Sequence, residues 1–242
     1  MNRKIKHFIN VLFLIVSCTS IYGQQPTALE TLSKVEAYYK TIKNFDFDVE
    51  YKMYRGYTGN HLTESYKGTM YKNGNVLQVI ILGSEVLQFP EAKIIINDKN
   101  KTISYSKLMQ NGTQQTPVDI SLFLKFYKES TTSFVGNTLI HEMILKNNTI
   151  NMPYNRVIMY INKNTYALEK QVLFLTTKVP FNGEKGKKDD AARMEISFKQ
   201  KPKQKPKPKP LKLKDYVLIG INNKISLSKA YSTYTLIDQT NL

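Results

Sequence analysis

Residues able to do chemistry are few in this chain, and their spacing works against them. Beyond the N-terminal segment there are two histidines, His61 and His141, in unrelated surroundings. A zinc site needs three or four ligands, commonly two of them as close as H-x-x-x-H, and neither histidine has such a neighbour. Each reads as a lone surface or edge histidine. Ser84, in LGSEV, lacks the second glycine of a nucleophile elbow, and no S-x-x-K with K-T-G pairing occurs. No glycine-rich phosphate loop follows a strand-like run. Asp46, Asp48 and Glu50 form the best carboxylate cluster, on alternate positions of one extended segment. A glycosidase would place such a pair across a cleft, but there is no tryptophan to make a sugar platform. Asp189 and Asp190 belong to a polar stretch, NGEKGKKDDAA, that reads as a loop. These residues predict a non-enzymatic protein with no cofactor and no metal.

Charge is the next candidate for function. The formal net charge is +16, which invites a nucleic-acid reading until its distribution is considered. Arg3, Lys4 and Lys6 stand at the N-terminus, and eight lysines with four prolines crowd residues 199–214, KQKPKQKPKPKPLKLK. The remainder is only mildly basic. Four prolines remove backbone donors and exclude a helix or a central strand, so the run predicts an extended, solvated loop. Lys201, Lys203, Lys205, Lys207 and Lys209 are its candidate contacts with an anionic membrane surface, each lysine contributing about 1 kcal/mol near charged lipid. The alternative is a solvated connector between strands. Arginine is scarce and no aromatic residue is interleaved for base stacking, so no nucleic-acid partner is expected.

The first residues, MNRKIKHFINVLFLIVSCTSIYGQQP, have a cationic start, an apolar run from Phe8 to Val16 and small residues after it. That is the three-part pattern of a secretory leader, and the run is far short of the roughly 20 residues that span a bilayer. Export to the periplasm is expected. Two cleavage readings compete: after Gly23, giving a leader over 1–23 and a mature domain over 24–242, or before Cys18, where IVSC fits a lipobox and would leave a lipid anchor. Cys18 is the only cysteine, so disulfides and thiolate sites are excluded from the mature chain.

The elements that must position any site follow from periodicity. TALETLSKVEAYYKTIKNF predicts one amphipathic helix, with Thr27 and Glu30 as a capping box and Ala28, Leu32, Val35, Tyr39 and Ile42 on one face. The period then switches to two: Phe45, Phe47, Val49, Tyr51 and Met53 alternate with Asp46, Asp48, Glu50 and Lys52, the pattern of a half-buried antiparallel strand. Hairpins are predicted at Asn73-Gly74, around Asp98 to Lys101, and at Asn162 to Asn164. A short helix is expected within 117–130, and at least two more strands after residue 215. In a closed sheet the apolar face would fill the core. In a half-open one capped by a helix, it would line a cavity for an acyl chain or an apolar peptide.

A leader, then LxxVxxYYxxIKNFDFDVEY, a meander with YKGTMYKNG and AKIIINDKNKTISYSK, a short helix after TPVDISLFL, and the hairpin VIMYINKNTYALEKQVLF resemble the periplasmic lipoprotein carrier family, LolA/LolB-like. The resemblance covers most of residues 27 to 200 and is one of order and pattern. It departs from the family where an Arg-Pro turn and an aromatic strand would follow the second strand; YKNGNVLQVII stands there instead. The resemblance implies an α+β fold: an antiparallel β-meander forming an incompletely closed barrel, wrapped over by the N-terminal amphipathic helix and the short mid-chain helix. It further implies a lipid or lipidated protein as partner. Phe45, Phe47, Val49, Tyr51, Ile94, Ile96, Ile158 and Tyr160 are the expected apolar wall of the cavity. The alternative is an envelope interaction protein that docks through the 199–214 loop.

Overall fold

The computed structural model describes residues 25–108, 120–147, 151–183, 186–202 and 211–240. The expected leader, with Cys18, lies outside them. Helix α1 (Ala28–Thr41) starts as its sequence requires: the Thr27 hydroxyl accepts from the Glu30 amide, and the Glu30 carboxylate accepts from the Thr27 amide. Ala28, Leu32, Val35 and Tyr39 form its buried face. Each large aliphatic or aromatic side chain so buried contributes on the order of 1.5–3 kcal/mol.

A meander follows, made of β1 (Asn44–Arg55), β2 (Leu62–Asn73), β3 (Val76–Ile81), β4 (Ser84–Gln88), β5 (Ala92–Asn97) and β6 (Thr102–Lys107). Gly74, at φ 61, makes the β2–β3 turn, a left-handed conformation that glycine adopts without cost. Helix α2 (Ile120–Phe126) is shorter than the expected 117–130 and runs straight into β7 (Tyr127–Val135). Residues 117–119 lie outside the described ones. The strand takes over at Tyr127, where β8 (Thr138–Leu145) offers a ladder, and it continues through the β-branched Thr131 and Thr132. Then come β9 (Tyr154–Asn162), β10 (Leu168–Leu175), the small ribbon β11 (Val179–Gly183) with β12 (Gly186–Asp190), and β13 (Ala192–Gln200). The C-terminal segment adds a second ribbon, β14 (Val217–Ile219) with β15 (Ile225–Leu227), and ends in β16 (Thr235–Asp238).

Among the described residues, twelve strands join in one sheet in the order β16-β6-β5-β4-β3-β2-β1-β13-β10-β9-β8-β7. Every pairing is antiparallel except that of β16 with β6. The end strands β7 and β16 do not pair with each other, so the sheet stays open. The class is α+β, an unclosed antiparallel sheet with two helices.

Opposed residues in an antiparallel ladder put their side chains on the same face, so the register assigns each face. One face carries Phe45, Phe47 and Val49 of β1, Met70 of β2 and Leu77 of β3. Through β13 it continues to Val157, Met159 and Ile161 of β9 and to Leu139, His141 and Met143 of β8. Helix α1 covers this face, and these apolar residues share one core with Leu32, Val35 and Tyr39. The opposite face carries Leu87, Ile94, Ile96, Ile103 and Tyr105. There the C-terminal segment closes a second core with Tyr216, Val217 and Ile225.

Candidate functional site

Helix α1 is held on the sheet at both ends by charged groups. At its start, Oε2 of Glu129 on β7 accepts from the Ala28 amide at 2.8 Å. A carboxylate there satisfies an otherwise unpaired N–H and suits the positive end of the helix dipole. Glu129 also accepts from the Thr132 hydroxyl, and His141 Nδ1 lies 2.8 Å from that hydroxyl and 3.6 Å from Glu129 Oε1. At the other end the buried Lys72 ammonium of β2 donates to the Tyr39 carbonyl at 2.7 Å, a cation at the negative pole. Between these ends the Tyr39 hydroxyl accepts from the Leu168 amide at 3.1 Å.

Burial sets the electrostatics of these anchors. Desolvation lowers the pKa of His141 and of Lys72, and Glu129 opposes the shift at His141 only in part. Burial pushes Glu129 up, yet its bonds from Thr132 and Ala28 and the nearby His141 outweigh it and leave the carboxyl below its usual range. His141 is therefore a fully buried residue beneath the helix, not the surface or edge histidine expected. The signal that could have placed it was the alternation Leu139, His141, Met143, Leu145 in LIHEMIL, which puts it on an apolar face.

The eight expected wall residues do not share one surface. Phe45, Phe47 and Val49 lie together beneath α1, at most 3% exposed, and the aromatic rings of Phe45 and Phe47 stand 5.0 Å apart. Tyr51 follows them on the same face, half-buried. Ile94 and Ile96 point to the other face and fill the second core. Ile158 and Tyr160 also turn to that other face, half-buried, with the Lys170 ammonium 4.2 Å from the Tyr160 ring. The neighbouring Val157, Met159 and Ile161 take the places under the helix. In the runs KIIIN and RVIMYIN apolar residues are consecutive, so alternation alone leaves the parity open and the register decides it.

Outside the area under α1, the same face carries a line of aliphatic side chains that runs across the strands. Met70 of β2 is opposed to Val79 of β3, Val79 to Val86 of β4, and Val86 to Ile95 of β5. Met70 is buried in the core, whereas Val79, Val86 and Ile95 are half-buried. With strands about 4.8 Å apart, the three span roughly 10 Å and connect directly to the covered core. Sequence periodicity did not single out these three residues. In KIIIN the middle isoleucine, Ile95, faces this side, and Ile94 and Ile96 face the other.

The charged candidates are engaged elsewhere. Lys201 lies 3.3 Å from both Asp46 and Asp48, and Glu50 pairs with Lys52 at 2.7 Å. Burial lowers the Lys201 pKa, but the two aspartates raise it further, so this lysine stays charged and bound to its own sheet. It is not free to meet an anionic surface. Lys203, Lys205, Lys207 and Lys209 lie outside the described residues. Asp190 accepts from Arg55 Nε at 2.9 Å, Asp189 is exposed, and the Ser84 hydroxyl accepts from Asn97.

We find no match among protein-family models and none among the curated proteins. Among solved structures the chain is similar to an uncharacterized conserved protein from Thermus thermophilus, at 12% identity and TM-score 0.43, over 73% of this chain and 89% of that one. It is similar to a LolA superfamily protein from Nitrosomonas europaea, at 13% and 0.33, over 75% and 96%. A putative outer membrane lipoprotein-sorting protein domain from Vibrio parahaemolyticus follows at 11% and 0.35, over 74% and 94%. What those proteins bind stays with them. Among the described residues no helix is long and apolar enough to cross a membrane.

Proposed function

We propose that this is an exported, non-enzymatic binding protein that holds a lipid, or the lipid of a lipidated protein, against the helix-covered face of its open sheet. The supporting observation is the aliphatic line Val79, Val86 and Ile95, which continues the core beneath α1 on that face but is only half-buried. A hydrocarbon chain lying there would bury this line at about 25 cal/mol per Å² of apolar area. Tyr51 flanks the same face beyond Val49. The leader pattern supports delivery to the periplasm, where a protein with an apolar face would meet lipid.

Native mass spectrometry of the full chain, purified gently from the envelope of its own cells, tests the reading. A lipid adduct is expected, and a clean apo mass overturns it. The Val86→Asp variant places a carboxylate in the middle of the line and is expected to release the adduct while the unfolding midpoint stays within a few degrees of the parent. Retention of the adduct in that variant puts the cargo elsewhere.

A further inference from the structure

The C-terminal ribbon carries an apolar tip that the lipid-binding reading does not use. Val217 and Ile225 anchor β14 and β15 in the second core, 1% and 8% exposed. Between them Leu218 and Ile219 are each 48% exposed, and Ile221 is 89% exposed. The turn that presents Ile221 is fixed: the Gly220 amide donates to the Lys224 carbonyl at 2.8 Å. Asn222 and Asn223 hold φ of 60° and 59°, a left-handed conformation that asparagine tolerates better than most residues. A hydrophobic residue held at the apex of a tight turn gains nothing from water, and among the described residues no neighbour folds back to cover it.

The surroundings say what would cover it. Lys212, Lys214, Lys224 and Lys229 are exposed on this segment, against Asp215 within it, Glu91 beside it and Glu85 near Tyr216 and Tyr231. Glu91, Leu213, Lys214, Val217, Leu218 and Ile219 also line a cleft of about 420 Å³ at the base of the ribbon. The lysine-rich run enters this segment in sequence. Exposed aliphatic side chains on a ribbon with lysines before it, in its turn and after it suit the boundary of an anionic bilayer, where the apolar atoms enter the acyl region and each lysine near the headgroups raises affinity about fivefold.

We propose that the β14–β15 ribbon is a membrane-docking finger, with Leu218, Ile219 and Ile221 inserting and Lys212, Lys214 and Lys224 contacting anionic headgroups. It lies on the face opposite the aliphatic line and stands whether or not that line holds lipid.

The chain contains no tryptophan, so the Ile221→Trp variant carries a single reporter. Its emission is expected to shift to shorter wavelength with phosphatidylglycerol vesicles and far less with phosphatidylcholine vesicles. The Val135→Trp variant, at the exposed β7–β8 turn, is expected not to shift. In sedimentation, Leu218→Asp with Ile221→Asp should weaken binding to phosphatidylglycerol vesicles at least about tenfold without moving the unfolding midpoint, since both positions are exposed. Any of three results overturns the proposal: no sedimentation of the parent chain, sedimentation with unmoved Ile221→Trp emission, or undiminished binding by the double variant. A vesicle-independent dimer that the double variant abolishes would assign the tip to a second copy instead, and overturns it too.

Discussion

His141 is the residue whose burial has a readable consequence in solution. It is folded in its neutral form, with Glu129 as the charged group beside it. Below about pH 6.5 the unfolded chain takes up a proton that the folded chain resists. Stability is then complete above that value and declines as pH falls through it, by up to about 1.4 kcal/mol per pH unit. Glu129, with its carboxyl below the usual range, adds a second loss at lower pH as it takes up a proton. Thermal melts between pH 8 and 4 should show both steps, and His141→Gln should flatten the upper one. A parent chain equally stable at pH 7.5 and 5.5 contradicts the assignment. Lys72 makes a simpler case. Lys72→Met keeps the aliphatic stem but removes the bond to the Tyr39 carbonyl, and should cost about 1–2 kcal/mol in urea unfolding.

At the scale of elements, what could be read in advance was whatever depends on neighbours in sequence. The capping box, the buried stripe of α1, the alternation of β1 and the Asn73-Gly74 turn all appear where their residues place them, because each is decided within a few positions. Strand parity in RVIMYIN was not legible, since it depends on pairing with β8 and β10. Nor was the cover over Ile94 and Ile96, since it arrives more than a hundred residues later. The site suffered more than the fold, because a wall needs the correct face of every strand at once. Gly68 shows how tight one such pairing is. A Cβ built there would stand 2.5 Å from the Ile80 carbonyl oxygen, so the backbones of β2 and β3 approach closely where their ladder ends. Gly68→Val should destabilise by about 2 kcal/mol or more, measured by denaturant titration, and a neutral result would mean that the two strands can part there.

Across the whole molecule, two cores share one sheet, and the second depends on the chain after residue 211. A chain stopped at residue 202 leaves Leu87, Ile94, Ile96 and Ile103 without Tyr216, Val217 and Ile225. It should bind a hydrophobic dye and aggregate, and a soluble truncated chain with an unchanged melt would refute that dependence. The position of β13 carries a different consequence. The strands β1 to β6 and β7 to β10 each pair with sequence neighbours, and among the described residues β13 alone bridges the two groups in the sheet, opposing Phe47 to Gln200 on one side and Leu173 to Met194 on the other. Loop closure over such a distance is slow relative to hairpin formation. Refolding should therefore run in two kinetic phases, with Phe198→Ala retarding only the slower one in stopped-flow traces. Until that bridge closes, each half presents an unpaired flank to the other, and this interval is when a wrong partner has its best chance to enter.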